Sequence, residues 1–253
     1  MKSVSSRQNP LVKRFRDAIR EHAGEIALEG PKAVADAIAA GWRPVAIVTS
    51  GAPAPTAPPL SPVPGALRTD VAQITEVTPE VFQWITDTKS PQGVIGLFQR
   101  PAVTAEAILG RRDTIAVVLD GVQDPGNTGT IVRLAAAFGA AGVLLLPGSA
   151  DAYGPKAIRA SAGAILNVAV ARITAEQLLA AEIPLVSTSM SGAKADPPSR
   201  NAVLIFGNEG SGVSPALMSR STAIAIPMAP AVESLNVASS AAILLARSYA
   251  LRV

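Results

Sequence analysis

The sequence predicts a two-part α/β chain, a small α/β unit followed by a larger domain built on a parallel sheet. Three observations predict it. Of the 253 residues, 49% are apolar and only 16% charged, so a large core is available and intrinsic disorder is excluded. From Thr114 onward, short and nearly continuous apolar runs alternate with helical stretches, as parallel strands buried on both faces require. The rhythm changes across Gln99–Arg112, which divides the chain into residues 1–100, a linker over 101–112, and residues 113–253.

In the first part, Asn9-Pro10 opens a helix over Leu11–Glu21, with Leu11, Phe15, Ala18 and Ile19 on one face. Gly24–Leu28 reads as a short strand. Pro31 at a first-turn position starts a helix that Gly41 ends, and Pro44–Thr49 is a second strand. Six prolines between Pro53 and Pro64 exclude a helix or a central strand there and mark a surface loop. Thr78 caps a helix over Pro79–Ile85, and Val94–Phe98 closes the unit. In the second part the strands are Thr114–Asp120, Gly142–Pro147, Leu166–Arg172, Pro184–Ser189, Ala202–Phe206 and Ala223–Pro227. Helices fall at Thr128–Phe138, Pro155–Ala162, Ala175–Ala181 and Pro215–Ser219, with a long last one from Leu235 to Leu251.

Composition narrows the function. No apolar stretch of bilayer length exists, because the longest run free of charge, Pro44–Leu67, contains seven prolines. The N-terminus has no apolar secretory core, so a cytoplasmic protein is expected. With no cysteine and one histidine, disulfides, thiolate metal sites and cysteine nucleophiles are excluded, and no metal is expected. Residues 1–20 hold six cations against Asp17 alone, a net +5, on a body that otherwise sums to −2. Such a basic segment fits either a polyanion partner or a solvated helix face. His22 reads as solvated, and Trp42 and Trp84 read as packing residues.

Open parallel sheets bind ligands beyond the carboxyl ends of their strands. Three loops there are candidates: Val118–Gly129, leading into a helix that carries Arg133; Ile205–Gly212; and Ile226–Val237. A nucleotide-triphosphate site is excluded at both near matches, because Val213 and Asn127 stand where the phosphate-binding lysine belongs. No G-x-G-x-x-G follows a strand. Taken singly, each loop is as well explained by a tight turn.

Together the loops resemble the SpoU (TrmH) family of RNA ribose 2′-O-methyltransferases, within the SPOUT superfamily. The three family motifs appear in order: Asn127 with Arg133, Gly207–Gly210, and Ile226–Val237. Asn9-Pro10 with Val12-Lys13, Leu28–Lys32 and Ser90–Gly93 are similar to the family's ribosomal-protein-like substrate-binding domain. The resemblance implies a deep trefoil knot in the C-terminal domain and S-adenosylmethionine as cofactor, with Gly207, Ile226 and Leu235 lining its pocket. It implies a catalytic set of Arg133, Asn127, Glu209, Ser234 and Asn236, and a homodimer through the C-terminal domain. The apolar and small residues of the last helix, more than one face should need, point the same way.

Transfer to a ribose hydroxyl requires an aligned nucleophile, removal of its proton and a held phosphate. Arg133 suits the role of a cation better than that of a base, since deprotonating arginine at neutrality costs roughly 7 kcal/mol. Arg7, Lys13, Arg14, Arg16 and Arg159 are the candidate RNA contacts. Ribosomal RNA is favoured over transfer RNA by the dedicated front domain. The alternative is a catalytically silent RNA-binding or ribosome-assembly factor with the same fold.

Overall fold

A computed structural model describes residues 3–21, 24–51, 74–86, 88 and 90–253. The six-proline segment and His22 lie outside the described residues. The chain divides into two units between Pro101 and Ala102.

The first unit runs α1 (Pro10–Glu21), β1 (Glu25–Glu29), α2 (Pro31–Ala39), β2 (Pro44–Thr49), β3 (Ile74–Glu76), α3 (Pro79–Ile85) and β4 (Val94–Gln99). The four strands among its described residues lie in the order β1-β4-β2-β3, with β4 antiparallel to both neighbours and β3 parallel to β2. The strand β3 is an addition to the expected elements. Val12, Phe15, Ala18 and Ile19 of α1 close a core with Ala46, Val48, Val81, Phe82, Ile85, Ile95 and Leu97.

The second unit begins with α4 (Ala105–Leu109), inside the stretch read as a linker. Thr104 caps it by accepting from Ala107 N at 3.2 Å, and Ala105, Ile108 and Leu109 are buried in this unit's core. Five residues are too few to show helical periodicity, but three of them are apolar enough to anchor the segment. Then follow β5 (Ile115–Asp120), α5 (Pro125–Ala137), β6 (Val143–Leu145), α6 (Pro155–Ser161), β7 (Val170–Arg172), α7 (Ala175–Ala180), β8 (Leu185–Ala193), β9 (Ala202–Gly207), α8 (Pro215–Met218), β10 (Thr222–Ile224) and α9 (Val237–Ala250). Leu166 belongs to a 3₁₀ turn, Ala164–Asn167, rather than to a strand; Gly163 before it takes φ 84°.

All strand pairs of this unit are parallel, in the order β10-β8-β9-β5-β6-β7. Ala116, Val118, Val203 and Ile205 pack with Ile108, Leu178 and Leu217 of the helices α4, α7 and α8. The alternate residues Val117, Leu119, Leu204 and Phe206 are fully buried and point to the opposite face. The helices α5 and α6 cross very closely. A Cβ on Gly129 would lie 2.2 Å from the Ala157 carbonyl oxygen, so only glycine fits. No helix among the described residues is long and apolar enough to cross a membrane.

Candidate active site

The adjacent central strands β5 and β9 end side by side, with Asp120 in register with Gly207. Each runs into a glycine-rich turn, and the two turns are tied together. Gly121 takes φ 72°, and its carbonyl accepts from Asn208 Nδ2 at 2.8 Å. Asn208 Oδ1 then accepts from Gly210 N at 2.9 Å and Ser211 N at 3.0 Å, folding the loop over itself. Asp120 Oδ2 receives Ser214 N at 2.7 Å. Neither Asn208 nor Asp120 was among the expected site residues. The Asn-x-Gly-Ser run at 208–211 is the sequence signal for such a turn.

Gly207 has a steric reason to be glycine. A Cβ there would stand 2.2 Å from Gly212 C and Val213 N, the returning arm of its own loop. The glycine lets the loop close on the strand end.

On this frame three motif residues meet. Asn127 Nδ2 donates to Glu209 Oε1 at 2.9 Å, and Asn127 Oδ1 accepts from Asn236 Nδ2 at 3.1 Å. Glu209 Oε2 also accepts from Gln123 N at 3.3 Å. One residue from each motif thus joins a single hydrogen-bonded chain. Asn127 is not a helix cap. The N-cap of α5 is Asp124, which accepts from Asn127 N at 2.9 Å and binds Lys156 Nζ at 2.6 Å. Asn236 does cap α9, through Ala238 N and Ser239 N, while its amide nitrogen is spent on Asn127.

Electrostatics follow the same contacts. Partial burial works to raise the Glu209 pKa. The hydrogen bonds from Asn127 and from the backbone amides of Glu209, Gln123 and Asp124 outweigh it and hold the carboxyl below its ordinary range. Asp124 is lowered chiefly by the hydrogen bond from Lys156 and then by the Asn127 amide.

Arg133 and Ser234 stand outside this chain. Arg133 is exposed and makes no ion pair or hydrogen bond among the described residues. Six residues beyond Asn127, it is turned about 240° round α5 and displaced roughly 9 Å along the axis. Ser234 is exposed, with no hydrogen bond among the described residues.

The third loop carries the features a flat, uncharged ring needs. Ile226 is half-buried, and Met228 and Leu235 are each 37% exposed. The amides of Ile226, Met228, Ala229 and Ala231 donate to no other backbone group among the described residues. Apolar side chains beside free backbone donors fit adenine, so the residues present suit S-adenosylmethionine. No group of three or more metal-ligating side chains occurs among the described residues.

The expected RNA contacts are placed unevenly. Lys13 and Arg159 are exposed. Arg14 is tied within its own unit: its guanidinium is held by Glu25, through Nε at 2.8 Å and through Nη2. Eleven residues separate the two, so counting charge along the chain could not reveal the pairing. Arg7 and Arg16 both lie over the ring of Trp84, at 6.0 and 5.3 Å from its centroid. Both tryptophans pack: Trp42 is buried and edge-on to Phe98 at 6.4 Å, and Trp84, half-buried, lies against the core of this unit.

Residues 114–246 match the family described as SpoU rRNA Methylase family, and residues 9–96 match the MRM3-like substrate binding domain. The chain is 34% identical over 193 residues to the 23S rRNA (guanosine(2553)-2′-O)-methyltransferase of Bacillus subtilis, covering 72% of this chain and 74% of that protein. Its fold matches an AdoMet-bound rRNA methyltransferase from Sinorhizobium meliloti with a TM-score of 0.85 and 28% identity, over 100% of this chain and 98% of that one. The SpoU methyltransferase AviRb from Streptomyces viridochromogenes, in complex with AdoMet, matches with a TM-score of 0.81 and 25% identity, over 97% and 98%.

Proposed function

The chain belongs to the SpoU rRNA methylase family, and from that premise we propose that it transfers a methyl group from S-adenosylmethionine to a ribose 2′-hydroxyl of ribosomal RNA. The observation that carries the reading is the chain Asn236–Asn127–Glu209, which joins all three motif loops at the carboxyl ends of β5 and β9. A catalytically silent relative has no need to keep a half-exposed polar chain of this kind. The cytoplasm, where ribosomal RNA is made in bacteria, is the compartment this substrate implies.

Bound S-adenosylmethionine supplies a methyl group on a sulfonium that leaves as a neutral thioether. Ile226, Leu235 and the free amides of the third loop would hold it, with Gly207 keeping the second loop closed beneath. Asn127, fixed between Glu209 and Asn236, orients the ribose, and Ser234 offers a hydroxyl partner to the attacking oxygen. Arg133, as a cation, binds the neighbouring phosphate and stabilises the developing alkoxide. Arg7, Lys13, Arg16 and Arg159 take RNA phosphates.

The proposal includes a homodimer. Arg133 has no ion pair or hydrogen bond among the described residues and lies on α5, which packs against α9. The helix α9 leaves Ile243 37% and Tyr249 39% exposed, apolar surface that a second copy could cover. Joining two copies along α5 and α9 would bring Arg133 to the other copy's Asn127 and Glu209. The family's trefoil knot is also part of the proposal. The chain leaves β10 at the sheet edge and returns to pack α9 against α5 and β9, as a threaded third loop would require.

Ribose-methylation mapping of ribosomal RNA from cells with and without the gene tests the reading. One or a few 2′-O-methyl positions should vanish with the gene, and an unchanged map would overturn it. Light scattering of an active preparation should give twice the monomer mass; a fully active monomer would refute the dimer.

A further inference from the structure

We propose that Lys156 and Asp124 are positioning residues for the methyl transfer: Lys156 clamps the Asp124 carboxylate, Asp124 holds the backbone of Asn127, and the Asn127 side chain is thereby presented to the ribose in one orientation. The inference rests on the reading of the site as a ribose methyltransferase and extends it to a pair outside the three-loop chain. Asn127 is held twice. Glu209 Oε1 accepts from its side-chain amide at 2.9 Å, and Asp124 Oδ1 accepts from its backbone N–H at 2.9 Å. The two carboxylates are themselves linked, since the backbone amide of Asp124 is among the donors to Glu209. The other oxygen of Asp124 accepts from Lys156 Nζ at 2.6 Å. A single carboxylate therefore separates the ammonium from Asn127.

Three features distinguish this pair from an ordinary helix cap with a surface cation. Gly126 lies in the first turn of α5, where a helical backbone does not call for glycine. A Cβ there would stand 2.6 Å from Asp124 Oδ1 and 3.6 Å from Lys156 Cε, so the glycine keeps the carboxylate's place open. Lys156 lies in the first turn of α6, the end of a helix at which a cation is disfavoured, so α6 itself gains nothing from it. The pair is also too exposed to add much stability, with 60% of the lysine side chain and 45% of the aspartate's open to solvent.

Its geometry is nevertheless fixed. The helices α5 and α6 are locked together where Gly129 meets the Ala157 carbonyl, and Lys156 is the chain neighbour of Ala157. The crossing itself delivers the lysine to the first turn of α5. Precision of this kind matters to an amide that aligns a reacting hydroxyl, because a displacement of about 1 Å costs a rate factor on the order of 100. A loosened Asp124 lets the first turn of α5 shift and carries Asn127 with it. Capping alone does not require the charge: asparagine caps a helix as well as aspartate, and it would lose the ionic tie to Lys156.

The test measures kcat and KM with ribosomal RNA lacking the modification, S-adenosylmethionine affinity by calorimetry, and urea midpoints, all on the full chain. Asp124→Asn and Lys156→Met should each lower kcat about tenfold, with KM for RNA and cofactor affinity within about threefold of wild type. Urea midpoints should move by no more than about 0.5 M. The double variant should fall no more than about threefold below either single one, because both substitutions act through one contact. Lys156→Arg, which keeps a cation for the carboxylate, should return kcat to within about threefold of wild type. Wild-type kcat in Lys156→Met, or losses that multiply to about 100-fold in the double variant, would overturn the inference. So would a raised KM with a lower salt slope in Lys156→Met, which would make the lysine a direct phosphate contact. Absence of transfer by the wild type would remove the functional reading and this inference with it, whereas wild-type transfer with indifferent variants would remove the inference alone.

Discussion

Replacing Glu209 with glutamine should loosen the joint between the motif loops. Glu209 accepts from Asn127 Nδ2 at 2.9 Å through Oε1 and from Gln123 N at 3.3 Å through Oε2. Glutamine keeps one acceptor and sets an N–H against the other donor. Hydrogen bonds to a charged group are worth about 1.5–3 kcal/mol. Glu209 is exposed, and solvent screening reduces the stability effect to about 0.5–1 kcal/mol. Activity should suffer more, because Asn127 loses one of its two anchors. A fall of about 10- to 100-fold in kcat is expected, or about 1.4–2.7 kcal/mol of barrier.

The acid limb gives a second readout. The folded carboxyl sits below its ordinary pKa, so in the acid range the unfolded chain binds the proton first and stability rises with pH. Glu209's contribution is whole above the ordinary carboxylate range and is lost as pH falls through the depressed folded value. Urea midpoints for wild type and Glu209→Gln should therefore differ at about pH 6 and converge toward about pH 3. A variant with wild-type kcat and a gap that does not change with pH would refute this role.

Gly207→Ala places a Cβ 2.2 Å from Gly212 C and Val213 N, so the second loop must open. A cost of about 2–4 kcal/mol is expected, with loss of S-adenosylmethionine binding by calorimetry; wild-type affinity would contradict it. Asn236→Ala removes the α9 cap and the contact to Asn127, and should cost about 1 kcal/mol in thermal stability together with methyl transfer. Arg133→Ala should abolish transfer while leaving cofactor affinity within about threefold, an expectation for a residue that acts on charge arising only in the transition state. Mixing Arg133→Ala with Glu209→Gln should restore about a quarter of wild-type sites if each site joins two chains, and none if it does not.

The sheet was readable because β5 and β9 are unbroken apolar runs, Ile115–Leu119 and Ala202–Phe206, bounded by polar or turn residues. Short elements escaped. The strand β3 has three residues and α4 five, below the length at which a period can be told. The second half of β8, Ser189–Ala193, carries one large apolar residue, the exposed Met190, and pairs with β10 across an irregular register, so no apolar pattern marks it. In the site, Asn127, Glu209 and Asn236 were legible as motif residues, but their joining was not. Asn127 and Glu209 are 82 residues apart, and Asn127 and Asn236 are 109 apart. Asn208, Asp120 and Asp124 also organise the loops; Asn208 carries a local turn signal, whereas Asp120 and Asp124 bind Ser214 N, Asn127 N and Lys156 and leave none. Arg14 shows the converse limit: counting charge along the chain does not reveal its pairing with Glu25.

The most direct measurement follows the methyl group itself. Purified protein is incubated with ribosomal RNA lacking the modification and S-adenosylmethionine labelled in its methyl group, and the product is hydrolysed with alkali. A 2′-O-methyl group blocks cleavage of the adjacent phosphodiester, so the account predicts label in alkali-resistant dinucleotides from one sequence. Label released with mononucleotides would place the methyl group on a base, and no label in RNA would remove the transfer; either result would contradict ribose methylation by the Asn127–Glu209–Asn236 site.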